Sequence, residues 1–251
     1  MQGTGTQADP FLPRSWIEFE TACRTNGAYV RLDADIDMNG EHPDDVTTTG
    51  YVFAYLDGNS HKISNLHWNP ADTNRIFFDV SNSSIENLQF LDCYLYAPLI
   101  RAQNIAKCVF SGITYKQPIV DYCVCERCSF NFQHHGNNFS TFSSWAPVFR
   151  HCDIEIHGNV NSMIATLDNS RIRDGVNADG HITTLELSTV SGIFNSYVDI
   201  PANTLVNGNK VLINTDRLDS GISLANYIGC TTTQLQDAQY LNGIGFPIGV
   251  G

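Results

Sequence analysis

Ile85-Glu86-Asn87-Leu88-Gln89-Phe90, Ile105-Ala106-Lys107-Cys108-Val109-Phe110 and Cys125-Glu126-Arg127-Cys128-Ser129-Phe130 decide the fold of this chain. Each places an apolar side chain or a thiol at its first, fourth and sixth positions. The same template fits Ile63-x-x-Leu66-x-Trp68 before them, and Phe149-x-x-Cys152-x-Ile154, Leu167-x-x-Ser170-x-Ile172 and Ile182-x-x-Leu185-x-Leu187 after them. The fourth-position anchors fall at 66, 88, 108, 128, 152, 170 and 185, so successive copies are 22, 20, 20, 24, 18 and 15 residues apart. That period is a solenoid coil's, and it is too short for a helical repeat.

The anchor and the residue two later alternate with their neighbours as in a strand with one buried face. The first apolar residue sits three before the anchor, and that odd offset implies a corner between two inward positions. Pro98-Leu99-Ile100, Pro118-Ile119-Val120 and Pro147-Val148-Phe149 supply a second strand in several coils, and the intervening turns are rich in Asn, Ser, Gly and Asp. The pattern predicts an all-β chain, a single-stranded parallel β-helix of right-handed sense, with short capping helices near both ends. Outward positions agree. Stacking coils at about 4.8 Å sets Asp153 beside Arg171 and Glu155 beside Arg173, opposite charges worth about 0 to 1 kcal/mol per exposed pair.

Three segments follow: an N-terminal cap over 1–40, coils over 41–215 and a C-terminal capping segment over 216–251. Ser15 with Glu18 forms a capping box, Trp16, Phe19 and Cys23 share a helical face, and Asn26-Gly27 is a helix stop. Ala28, Val30, Leu32, Ala34, Ile36 and Met38 alternate with Arg31, Asp33, Asp35 and Asp37, which predicts one long strand with a wet face. Thr233 with Gln236 starts a second helix, stopped by Gly243. After Leu187 the ladder fades, and only Val206-x-x-Asn209-x-Val211 suggests another coil.

At 251 residues and 42% hydrophobic content the chain can bury a sizeable core. Its 14 basic and 26 acidic residues give a net charge of -12, which argues against nucleic acid and anionic membrane as partners. No stretch reads as a membrane span, and the opening Met1-Gln2-Gly3-Thr4-Gly5-Thr6 lacks a basic region followed by an apolar run, so no signal peptide is expected. Cys108, Cys128 and Cys152 occupy the anchor column and Cys125 the other inward column, as small apolar fillers. A disulfide between neighbouring coils remains geometrically open. Cys123, Cys125 and Cys128 have no second Cys or His pair at finger spacing, so no zinc site and no cofactor are expected.

The opening Gly3-Thr-Gly-Thr-Gln-Ala-Asp-Pro-Phe11, then Ser15-Trp-Ile-Glu-Phe-Glu-Thr-Ala-Cys23 and Gly27-Ala-Tyr-Val-Arg-Leu-Asp-Ala-Asp-Ile-Asp-Met-Asn-Gly40, resembles the start of pectin-lyase-like β-helix modules of bacterial surface and bacteriophage structural proteins. The segment 231–249 is similar to tails that follow such modules. Together these cover about a quarter of the chain. The resemblance implies a bacteriophage virion appendage, head fibre or tail spike, commonly a homotrimer, attached to other virion proteins. Assembly inside the host cytoplasm fits the expected lack of a signal peptide, with a bacterial cell surface as the alternative location.

Many β-helix enzymes cleave acidic polysaccharides, and the lyases among them resemble sites where outward carboxylates bind calcium beside a basic residue. Here Asp153 and Glu155 each face an arginine, which is a structural arrangement. Asp33, Asp35 and Asp37 form a weak calcium candidate, and Met38 stands where an EF-hand loop needs glycine. His134, His135, His151 and His157 are close in sequence, with His151 expected on an exposed strand column and the others in turns. No nucleophile elbow, His-Glu-x-x-His, phosphate loop or dinucleotide fingerprint is present. A non-enzymatic protein with no catalytic residues is therefore expected. Its best contact surface is the long turn from Phe132 to Trp145, where His134, His135, Asn137, Asn138, Phe139, Phe142 and Trp145 offer rings that stack on sugars beside polar donors. Packing of the same rings against a neighbouring protomer is the plain alternative. The sequence thus points to a trimeric appendage displaying a receptor- or glycan-binding surface. A capsid decoration protein without a receptor and a polysaccharide-cleaving tail spike are the alternatives.

Overall fold

In a computed structural model, residues 65, 87, 107, 127 and 151 share one backbone state: Asn65, Asn87, Lys107, Arg127 and His151 lie at φ 57, 53, 52, 53 and 52°. Each immediately precedes an anchor of the sequence template, so the corner implied by the odd offset is a single left-handed residue. The structure describes residues 1–38, 51–68, 76–96, 99–115, 120–121, 123–134, 140–142, 147–157, 159–160, 162–168, 170–174, 181–182, 185–187, 191–195, 197–198, 210–214, 216 and 228–243.

The corner leaves the ladder of backbone hydrogen bonds unbroken. The N–H of Lys107 donates to the Glu126 carbonyl, that of Arg127 to Arg150 and that of His151 to Asp168, each at 2.9 Å. The anchor carbonyls of Leu88, Cys108 and Cys128 then accept from Val109, Ser129 and Asp153 at 3.0 Å. Each coil therefore bonds to the coils before and after it, and two long parallel sheets meet along the corner. One sheet runs through Tyr29–Arg31, Tyr55–Asp57, Phe78–Glu86, Ile100–Ala106, Val124–Glu126, Val148–Arg150 and Ser162–Asp168. The other runs through Ile36–Asp37, Lys62–Ser64, Gln89–Leu91, Val109–Tyr115, Ser129–His134, Asp153–His157, Ser170–Asp174, Ser191–Asn195, Lys210–Asn214 and Ile228–Cys230. A short third sheet joins Asn159–Val160, His181–Ile182 and Tyr197–Val198. The chain is a parallel β-helix, mostly strand, with short helices near both ends.

The inward columns match the template over its central copies. Ile85, Ile105, Cys125, Phe149 and Leu167 follow one another in register, as do Phe90, Phe110, Phe130, Ile154 and Ile172. Phe90, Phe110 and Phe130 are fully buried, with successive ring centroids 5.3 and 4.7 Å apart and planes within 8 and 2°. Burying each such ring is worth about 1.5–3 kcal/mol.

Two copies at the edges of the ladder are placed differently. Ile63 pairs with Phe90 and Trp68 with Leu95, so Ile63-x-x-Leu66-x-Trp68 stacks on Phe90-x-x-Cys93-x-Leu95, not on the 85–90 segment. Both have a left-handed residue before the anchor, Asn65 and Asp92, because the coil turns a second similar corner there. Leu185 pairs with Met163 and Leu187 with Ala165, while the strand that stacks on Ile172 carries Phe194. The ladder continues beyond Leu187, through Ser191–Asn195, Lys210–Asn214 and Ile228–Cys230.

The alternating stretch 28–38 is two strands in two sheets, Tyr29–Arg31 and Ile36–Asp37, not one long strand. Its inside-outside alternation survives because Ala28, Val30, Leu32, Ile36 and Met38 all reach the core from either side of the bend. Helix α1, Trp16–Cys23, buries Phe19, Ala22 and Cys23. Ser15 caps it by accepting from the Glu18 N–H, but the Glu18 carboxylate turns to the Arg14 N–H at 2.9 Å, so the box is not reciprocal. Helix α2, Thr232–Gln236, is capped by Thr231 with Gln234, two residues before the predicted pair, and α3 spans Ala238–Gly243. Leu235 and Tyr240 pack on Leu212 and Cys230. In register, Leu212 continues the column of Asp153, Arg171 and Ile193, which faces outwards in the middle coils, so α2 and α3 cover the flank of the last coils. Among the described residues no helix is long and apolar enough to cross a membrane.

Candidate functional site

The insertion that lengthens the coil between Cys128 and Cys152 leaves the wall beneath it intact. Cys125 still pairs with Phe149 and Phe130 with Ile154, although 24 residues separate each pair where the previous coil uses 20. The register is therefore the same on both sides of the insertion, and a regular wall of this kind is a rigid scaffold for a contact surface. Part of the insertion forms a strand of its own, Ser140–Phe142, paired with Ser162 and Met163. His134 ends the Ser129–His134 strand opposite Tyr115, and Phe142 ends the inserted strand. His135, Asn137, Asn138, Phe139 and Trp145 lie outside the described residues.

Beside the insertion, the outer wall carries a charged patch. Arg171 grips Asp153 with two parallel bonds, Nε to Oδ1 at 2.9 Å and an Nη to Oδ2 at 3.0 Å, as the coil stacking predicts. Glu155 stands opposite Arg173 in register, and its carboxylate also meets His157 Nε2 at 3.1 Å. Glu155 is only 6% exposed, half-buried Asn131 stands opposite it on the preceding coil, and His157 stands opposite Gln133. A buried carboxylate on an imidazole is chemistry that can relay a proton as well as hold a wall together. The sequence did mark this pair: Glu155 and His157 are two apart on a strand and so share a face. The histidine expectation is reversed in part, since His134 and His157 lie in strands and His151 is the exposed left-handed corner.

The aspartates at the N-terminal end each hold a separate partner. Arg14 Nε reaches Asp33 at 2.5 Å, His61 Nδ1 meets Asp35 at 2.9 Å with the Lys62 Nζ at 3.8 Å, and Asn65 Nδ2 donates to Asp37 at 2.7 Å. The donors to Asp35 and Asp37 come from the next coil, so those two aspartates fasten coil to coil. The bonds from His61 and then from the Lys62 N–H hold the Asp35 carboxyl below its ordinary value. Among the described residues no three His, Cys, Asp or Glu side chains converge as a metal site would need.

The anchor column holds a feature that small-apolar-filler reasoning missed. Cys108 Sγ points at the carbonyls of Ala106 and Ile85, 3.4 and 3.9 Å away, and Cys128 Sγ at those of Glu126 and Ile105, both at 3.5 Å. Cys152 Sγ meets Arg150 and Cys125 at 3.4 and 3.3 Å, and Ser170 Oγ donates to Asp168 and Phe149 at 3.2 and 3.0 Å. Each anchor thus aims its hydrogen at a carbonyl two residues earlier, which also accepts a backbone N–H from the preceding coil, and at a carbonyl of the coil before. Ser170 was the signal, because a hydroxyl would not serve as an apolar filler. All eight cysteines are free and buried. Burial pushes the thiols of Cys23 and Cys125 well above the ordinary range. Burial first, and then the charge of Asp92, raise Cys93 to about 12.

The sequence matches no known family model and no curated protein. Among solved structures the chain is similar to a protein described as "a putative immunoglobulin A1 protease from Bacteroides ovatus", with a TM-score of 0.55 and 13% sequence identity over 97% of this chain and 90% of the other. At that identity the likeness shows the parallel β-helix fold and nothing finer. It also removes the ground for expecting a non-enzymatic chain. That protein of similar fold is described as a "putative" protease, so the expectation of a non-enzymatic chain is withdrawn as a correction.

Proposed function

We propose that this β-helix is a display module of a virion appendage or fibre, presenting the insertion from Phe132 to Trp145 as its host-contact surface. The observation that carries this is the unbroken register on both sides of the insertion, which makes the wall a stiff mount for a ring-rich segment. Asn137, Asn138 and the rings of Phe139, Phe142 and Trp145 suit a cell-surface glycan, with donors for hydroxyls and flat faces for pyranose rings. In this proposal the protein assembles as a homotrimer in the host cytoplasm and attaches to other virion proteins, with a bacterial surface module as the alternative setting.

One observation favours a second reading. The buried Glu155 carboxylate with its His157 partner, on the wall beside the insertion, could move a proton on a bound substrate, as a glycan-cleaving spike requires. Light scattering after size-exclusion chromatography, with polysaccharide and immunoglobulin A1 incubated on the same sample, separates the possibilities. A trimer that binds polysaccharide is the expected result. Released oligosaccharide, abolished by Glu155→Gln, adds the spike reading's catalysis to that binding, and cut immunoglobulin without polysaccharide binding replaces the proposal with a protease. An inert monomer points to a decoration protein.

A further inference from the structure

At the N-terminal end of the solenoid, a pocket of about 490 Å³ lies between the first two coils and the N-terminal segment. Gln7 and Pro10 form one wall, and Tyr29, Arg31, Tyr55 and Asp57 the other. The walls are fixed before any ligand arrives. Tyr29 pairs with Tyr55 and Arg31 with Asp57 in register, while the Tyr29 N–H donates to Gly5 and the carbonyl of Tyr29 accepts from Phe11, both at 2.9 Å. Thr6 and Asp9 close the loop between them.

The side chains in this pocket combine two aromatic faces, a carboxylate, an amide and a guanidinium. The two tyrosine rings are half-buried, with centroids 5.8 Å apart and planes tilted by 37°. Asp57 commits Oδ1 to the Asn59 N–H at 2.8 Å and to Asn87 Nδ2 at 3.0 Å, which leaves Oδ2 for another donor. Arg31 is exposed, and no carboxylate among the described residues makes an ion pair with it, in a chain whose net charge is -12. Arg14, Arg24 and Arg101 by contrast each hold an acidic partner.

We propose that this pocket binds a uronic-acid residue of an acidic glycan. The guanidinium fork takes the carboxylate in two parallel bonds, the apolar face of the sugar ring lies against tyrosine, and Asp57 and Gln7 take its hydroxyls. An acidic peptide fits less well. The Tyr29–Arg31 strand is paired on one side by Tyr55–Asp57 and on the other by the N-terminal segment, so it has no free edge to which an extended peptide could add. The site is independent of the insertion and stands whether or not that surface binds glycan.

Isothermal titration at low salt tests it with four probes: a hyaluronan hexasaccharide, a galacturonate trisaccharide, neutral chitohexaose and tetraglutamate. At least one uronate oligosaccharide binds the wild type, and Arg31→Gln weakens it about tenfold or more, the size of one lost charge-assisted pair. Arg31→Lys recovers part of the loss, and both variants melt with the wild type because the residue is exposed. Failure of both uronates to bind, equal binding by Arg31→Gln, or equally tight binding of chitohexaose or tetraglutamate overturns the proposal.

Discussion

Cys128 carries the lesson of the residue scale. Its thiol faces the Glu126 and Ile105 carbonyls, so Cys128→Val removes that donor from both, while the Glu126 carbonyl keeps the Lys107 N–H, and the change is expected to cost about 0.5–1.5 kcal/mol. Cys128→Ser keeps the donor, as Ser170 does two coils later, and is expected to cost less than the valine. Urea midpoints at constant slope measure the order, and a valine variant as stable as the serine variant would contradict it. The corner offers the opposite sign. Lys107 is a left-handed residue at a position that Asn87 fills in the coil before with a side chain suited to it. Lys107→Asn should therefore raise stability by up to about 1 kcal/mol, about 2–4 °C in the midpoint of thermal unfolding. Little in the sequence marks these corners, because Lys107, Arg127 and His151 are held left-handed by the ladder around them and not by their own preference.

Elements were legible wherever two columns agreed. The copies from Ile85 to Ile172 were found from sequence because the inward and outward columns, Phe110 on Phe130 and Asp153 on Arg171, repeat together. The copy at Ile63 was misplaced because the second corner of the same coil uses the same apolar spacing, Phe90 to Cys93 to Leu95. The stretch 28–38 looked like one strand because a wall that bends keeps its inside and outside residues in alternation. The first two coils also give an element-scale test by pH. Asp35 is held below its unfolded value of 3.8, so its contribution is fully present above that value and is lost as pH falls through the lowered one. The stability difference between the wild type and Asp35→Asn should be constant from about pH 5 down to about pH 4 and then close towards about pH 2. A difference that persists at the acid end would mean that the His61 and Lys62 contacts do not act through the Asp35 charge.

At the scale of the whole molecule, the fold followed from a repeat, while the candidate site did not. An insertion is visible in sequence as a coil of 24 residues among coils of 20, and its ring and amide content suggested contact with sugar. What the sequence could not supply was the burial of Glu155 beside His157, which depends on what surrounds the strand and not on the strand's own pattern. The pocket at Arg31 was hidden for a similar reason: Gln7, Arg31 and Asp57 meet only because the N-terminal segment folds back along the first coil.

Glycan binding by the insertion is the central claim, and the most direct test is retention on a panel of bacterial surface polysaccharides of the wild type beside a Phe139→Ala, Phe142→Ala, Trp145→Ala variant. The account predicts that the wild type is retained on at least one polysaccharide and that the variant passes through while melting at the same temperature. Equal retention of the two proteins, or no retention of either, would contradict it.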